Sequence, residues 1–183
     1  MNRAHVLVAL TFWGYAIDAQ AEEVPVCYNY ACTTSAVVIL GFAQLARLNM
    51  LFAWVDSAEE ERQAISDAIG QMQVFVGEQT PTFRDRGRNL ADDGVDGRMD
   101  CIDHSINNTA YLNMMKERGW LKFHHVLDPV RRAPLFFVEH WAAHIAEDGT
   151  GHEFAVDSWF FDSGHAAVIF PLEEWMKGAE PNE

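Results

Sequence analysis

The chain has 183 residues, nearly half of them apolar, which suits one domain with a proper core and argues for no second one. Its formal charge of −14 and pI of about 4.8 exclude the backbone of a nucleic acid and an anionic membrane surface as partners. A basic protein or peptide segment is compatible with that charge.

Arg3 and His5 precede an apolar run, Val6 to Ile17, that is too short to span a bilayer. Ala19 and Ala21 then stand at the two positions a signal peptidase inspects, so residues 1–21 read as a signal peptide and 22–183 as the mature domain. Its removal takes one Arg and one Asp and leaves the net charge unchanged. The expected location is periplasmic or secreted, with no stable membrane insertion once the signal is gone. An oxidising compartment gives meaning to the three cysteines: Cys27 and Cys32 are spaced to close a small disulfide loop, and Cys101 is left over.

Thr34 to Leu40 is rich in β-branched residues and ends at Gly41, the pattern of a strand. Phe42, Leu45, Leu48, Met50 and Leu51 follow at helical spacing up to about Trp54. Asp56 or Ser57 starts a second helix: Ser57 with Glu60 fits a capping box, and the buried side is Ala64, Ile65, Ala68, Ile69 and Met72. From Glu78 to Asp100 arginines, aspartates and glycines alternate without apolar periodicity, which predicts a long functional loop. Asp92, Asp93 and Asp96 around Gly94 are its candidate calcium ligands, although their spacing is not that of an EF-hand. No other cofactor is expected.

Gly97 to Gly119 reads as a flexible approach and one amphipathic helix, with Ile102, Ile106, Ala110 and Met114 along one side. Cys101 falls at the helix N-terminus, where unpaired N–H groups lower a thiol's pKa and hold a developing oxyanion. Asp100 and Asp103 flank it and act against ionisation. His104 is one ridge away and forms a Cys/His pair that lacks a third and fourth metal ligand, so no metal is assigned.

Trp120 to Leu127 and Leu135 to Val138 read as short strands around a turn at Asp128-Pro129. Val138 to Ala146 and Glu153 to Phe161 flank an acidic, glycine-bearing turn and form a hairpin. Ala166 to Phe170 adds a strand, and Leu172 to Met176 a last helical turn. Helices come first and strands afterwards, so the fold class is α+β with an antiparallel sheet.

In the hairpin, residues whose numbers sum to 299 face each other if the turn centres between Gly149 and Thr150. Ala142 then opposes Asp157, and His140 and His144 are both diagonal neighbours of that carboxylate. A histidine oriented by a carboxylate near a helix N-terminal thiol is an arrangement for covalent acyl transfer, with either histidine eligible as the base.

The order Cys, His, Asp, with Asp100-Cys101-Ile102-Asp103 at the helix start, resembles the bacterial transglutaminase-like cysteine proteinases of the papain-like class. Met99 and His104 stand where that family usually has a glycine and an aromatic residue. The resemblance implies a transglutaminase-like core in which Cys101 is the nucleophile, His140 the base and Asp157 the orienting acid, with His144 as the alternative base. It implies a peptidase or amidase acting on a peptide or protein. The rival expectation is a non-catalytic binding or scaffold protein with a buried cysteine.

Overall fold

A computed structural model describes residues 21–133 and 139–181. The expected signal segment up to residue 20 and the expected strand at 135–138 lie outside them. The architecture is α+β with antiparallel sheets. A hairpin of β1 (Glu22–Tyr28) and β2 (Thr34–Leu40) leads into α1 (Phe42–Phe52) and α2 (Ala58–Gly77). A long segment holding one 3-10 turn (Pro81–Arg84) reaches α3 (Cys101–Glu117). Then β3 (His124–Arg132), β4 (His140–Glu147), β5 (Glu153–Asp157) and β6 (Val168–Pro171) form a four-stranded sheet in chain order, and α4 (Leu172–Met176) follows.

The helix starts obey their local chemistry. Ser57 accepts the N–H of Glu60 at 3.3 Å, three glutamates occupy the first turn of α2, and its buried side includes the five residues expected from the periodicity. Leu48, Ile65, Ile69, Met72, Leu112, Met115, Ile145 and Val156 meet in one core, which places α1, α2 and α3 on one face of the sheet. The opposite face is covered by α4, whose Trp175 packs on Ala142 and Ala155 with Val130, Phe170 and Leu172 around it.

Three expectations are corrected. The strand β1 was not foreseen; its sequence EEVPVCY is interrupted by Pro25, and pairing with β2 supplies the order that local pattern does not. Asp128-Pro129 is not a turn between strands but an irregularity inside β3, where the register with β4 shifts between Leu127 and Val130. Proline has no N–H to give to a ladder, and a bulge is where a strand tolerates one. The third correction concerns α3, whose limits match but whose buried face does not. Ile106 is 44% exposed, while Asp103, His104, Asn107 and Asn108 are all buried. This helix is held through hydrogen bonds from its polar side as much as through its apolar one.

The hairpin register agrees with the 299 rule: Ala143 faces Val156, His144 faces Ala155 and Ile145 faces Phe154. On β3, Arg132 stands opposite His140. Side chains of directly opposed residues share a face, so Arg132, His140 and Asp157 lie side by side on the α4 face at the entry of β4.

Candidate active site

The N-terminus of α3 is built twice over. Asp100 is the N-cap: its Oδ1 accepts the N–H groups of Ile102 and Asp103 at 3.0 and 2.9 Å, and Asp103 Oδ2 accepts the Asp100 N–H at 3.3 Å. Cys101 is the first helical residue, and its own N–H is taken by neither carboxylate of the cap. A second shell comes from the β1–β2 turn. Asn29, Tyr30, Ala31 and Cys32 all have positive φ, between 51° and 68°, a left-handed run of non-glycine residues. Each such residue costs roughly 1–2 kcal/mol. The run aims the N–H of Ala31 at Asp100 Oδ2 (3.0 Å) and that of Cys32 at Asp103 Oδ1 (2.6 Å), and the Cys27–Cys32 disulfide closes it. Asn107 fastens the base of the turn, exchanging bonds of 2.8 Å with the backbone N–H and carbonyl of Cys27. Burial pushes the Asp103 carboxyl up to about 6, against the N–H donors that favour its anion.

His140 is buried beside Asp157, with Nε2 to Oδ2 at 2.6 Å. The same Oδ2 accepts Trp175 Nε1–H at 2.9 Å, and Oδ1 accepts the Trp159 N–H at 3.2 Å. Rings of Trp159, Phe160 and Trp175 surround the imidazole at centroid distances of 4.9, 5.7 and 5.7 Å. Carboxylate and rings together fix which nitrogen faces the acid and leave Nδ1 for the other side. Cys101 reaches this place around the start of β4, where its Sγ lies 3.9 Å from the Glu139 carbonyl oxygen, next to the Trp141 N–H. Cys101 and His140 line one cavity of about 440 Å³, together with Tyr30, Asn89, Leu90, Asp100, Arg132, Glu139, Trp159 and Glu180.

The half-buried thiol is held in its neutral form. Burial pushes its pKa up to about 11; the Trp141 N–H works against this, while Asp100 and Asp157 add to it. Asp100 and Asp103 both accept backbone N–H groups at the helix start, yet this does not outweigh desolvation.

His144 stands apart from this group. Its Nδ1 faces the Asp128 carbonyl at 3.3 Å, and its Nε2 lies 3.3 Å from Glu153 without the geometry of a hydrogen bond. The two diagonals about Asp157 are equivalent on a flat ladder but not on strands with right-handed twist. His104 is not paired with Cys101 either: Nε2 meets Asp85 Oδ2 at 2.9 Å and Nδ1 meets Ser158 Oγ at 2.8 Å, all three residues buried. In the arginine and aspartate loop, Asp92 takes up the Tyr30 hydroxyl (2.6 Å) and Arg98 (2.7 Å), while Asp96 meets Asn29 and Arg84. The carboxylates of Asp92, Asp93 and Asp96 do not converge on one point among the described residues.

Several residues of the site escaped sequence reasoning. Asn89 accepts Trp159 Nε1–H at 3.1 Å and donates to Asp85 at 3.2 Å, which sets its amide on the cavity wall. Gly87 and Gly97 let this loop come close, since an added Cβ would meet the Phe160 carbonyl at 2.4 Å and the Pro81 carbonyl at 2.1 Å. Trp175 lies 18 residues beyond Asp157, a separation at which no local pattern signals a contact. Comparison of the chain with protein-family models, with curated proteins and with solved structures finds no match in any of the three.

Proposed function

We propose that the protein is an exported cysteine hydrolase, a peptidase or amidase with a transglutaminase-like core, in which Cys101, His140 and Asp157 act as nucleophile, base and orienting acid. The observation that carries this reading is the 2.6 Å bond from Asp157 to His140 Nε2, on a cavity that also holds the helix N-terminal thiol. Because the thiol is kept protonated, activation is a proton transfer coupled to attack, as in a serine enzyme, rather than a standing ion pair. His140 Nδ1 takes the proton as Sγ bonds to the acyl carbon, and Asp157 stabilises the imidazolium. The Cys101 N–H and the second amide hydrogen of Asn89 hold the oxyanion. The C–N bond then breaks as Nδ1 protonates the leaving amine, and water, deprotonated by the same nitrogen, releases the acid from the thioester. An amine in place of water makes the outcome a transfer. The disulfide suits the oxidising compartment to which the reading assigns the protein.

The raised thiol pKa favours a second reading, a binding or scaffold protein in which Cys101 is inert. Alkylation of Cys101 by iodoacetamide as a function of pH separates the two. In the hydrolase the wild-type rate rises at a pH well below about 11, His140→Ala moves that rise upward, Asp157→Asn does so in part, and His144→Ala leaves it in place. A wild-type profile that only rises near 11 and ignores His140→Ala establishes the scaffold.

A further inference from the structure

Arg132 is only 6% exposed, yet among the described residues no carboxylate reaches salt-bridge distance of it. One terminal nitrogen, Nη1, donates to the carbonyl oxygens of Trp175 and Ala179 at 2.5 and 3.0 Å, and the guanidinium lies over the Trp175 ring at 4.7 Å. Among the described residues Nε and the other terminal nitrogen make no hydrogen bond, and Arg132 lines the cavity that it shares with Cys101 and His140. A buried guanidinium with donors to spare, which Asp157 and Glu180 favour only from beyond salt-bridge distance, is costly unless something anionic arrives to meet it.

The acids on the same wall are already occupied. Glu139 is paired with Arg131, Glu180 with Arg88 at 2.6 Å, and Asp100 accepts three backbone N–H groups. The overall charge of −14 therefore does not describe this cavity, whose one cation without a carboxylate partner among the described residues is Arg132.

We propose that Arg132 is a specificity-determining residue that binds a carboxylate of the substrate next to the carbonyl attacked by Cys101. The proposal rests on the hydrolase reading for the identity of the attacked group, but the binding of a carboxylate beside the thiol is measurable without turnover. The planar guanidinium suits a carboxylate through its two remaining edges. The carboxylate belongs either to an acidic side chain on the acyl side or to a free C-terminus on the leaving side.

The test uses two alkylating reagents that differ in charge. With iodoacetate and iodoacetamide at one pH and ionic strength, the ratio of their rates at Cys101 is compared with the ratio at glutathione. The proposal expects the Cys101 ratio to exceed that of glutathione by about tenfold, the scale of one charge-assisted hydrogen bond. Arg132→Gln removes the excess, and Arg132→Lys retains part of it. Because Arg132 also holds the end of α4, a wild-type measurement stands beside the variants: acetate protects Cys101 from iodoacetamide better than acetamide does. A Cys101 ratio equal to that of glutathione, with no protection by acetate, overturns the proposal and limits Arg132 to capping α4. The pH profile with iodoacetamide tests the hydrolase reading separately. Aspartyl against asparaginyl chloromethyl ketone, and chloroacetylglycine against its amide, then assign the carboxylate to the acyl or the leaving side.

Discussion

Three buried histidine and carboxylate pairs occur among the described residues, and they differ in what is left over. His124 Nδ1 meets Glu61 at 3.0 Å and its Nε2 faces Arg62 at 3.2 Å, while Glu61 also accepts the N–H groups of Lys122 and Phe123. His104 is likewise engaged at both nitrogens, by Asp85 and Ser158. His140 alone of the three spends one nitrogen on its acid and turns the other edge to a cavity that holds a thiol. The pair chemistry is common to all; a free nitrogen and access to a nucleophile separate a base from a strut.

The largest effect should come from removing the base. His140→Ala lowers the rate of hydrolysis, or of Cys101 alkylation at neutral pH, by about 10²–10⁴-fold, and it also strips buried Asp157 of its partner. His104→Ala strips Asp85 in the same way and costs about 3–5 kcal/mol in urea unfolding, but it leaves the alkylation rate in place. If His104→Ala instead leaves stability intact and silences Cys101, the two pairs have been assigned the wrong way round.

Next comes pH. Asp103 is raised from 3.8 to about 6 in the folded state, so between those values the folded protein binds more protons than the unfolded one. Stability therefore falls as pH rises from about 4 to 6, by up to about 3 kcal/mol from this group. Urea midpoints across that range should show the fall in the wild type and lose it in Asp103→Asn. Gly97→Ala should cost about 2 kcal/mol or more, since φ there is +90° and the Cβ would strike Pro81. The smallest change belongs to His144→Ala, within about 1 kcal/mol in unfolding and none in alkylation.

How far the sequence reached depends on the range of the interactions involved. Ser57, Asp100 and the disulfide act across a few residues, and their helices and loop stand where the local pattern puts them. The hairpin register follows from one turn, and it carried the alignment of His140 and His144 with Asp157. It did not choose between those histidines, because twist and the distant ring of Trp175 make the choice. The polar buried face of α3 was illegible for the same reason. Asn107 and His104 look like solvent-facing residues until Cys27, Asp85 and Ser158, each far away in the chain, supply their partners. Arg132 carries no signal of its own in the local pattern, and only the β3–β4 register brings it beside His140.

The aromatic enclosure of His140 also makes the site optically legible. A protonated imidazole quenches indole emission at short range, and Trp159 and Trp175 sit 4.9 and 5.7 Å from the ring. Their faces also favour the cation once it forms. The proton that leaves Cys101 during attack thus lands inside a pair of built-in fluorophores. Stopped-flow emission after mixing with an acyl substrate should then show a dip and a recovery as the imidazolium forms and is spent, with no label added to the protein.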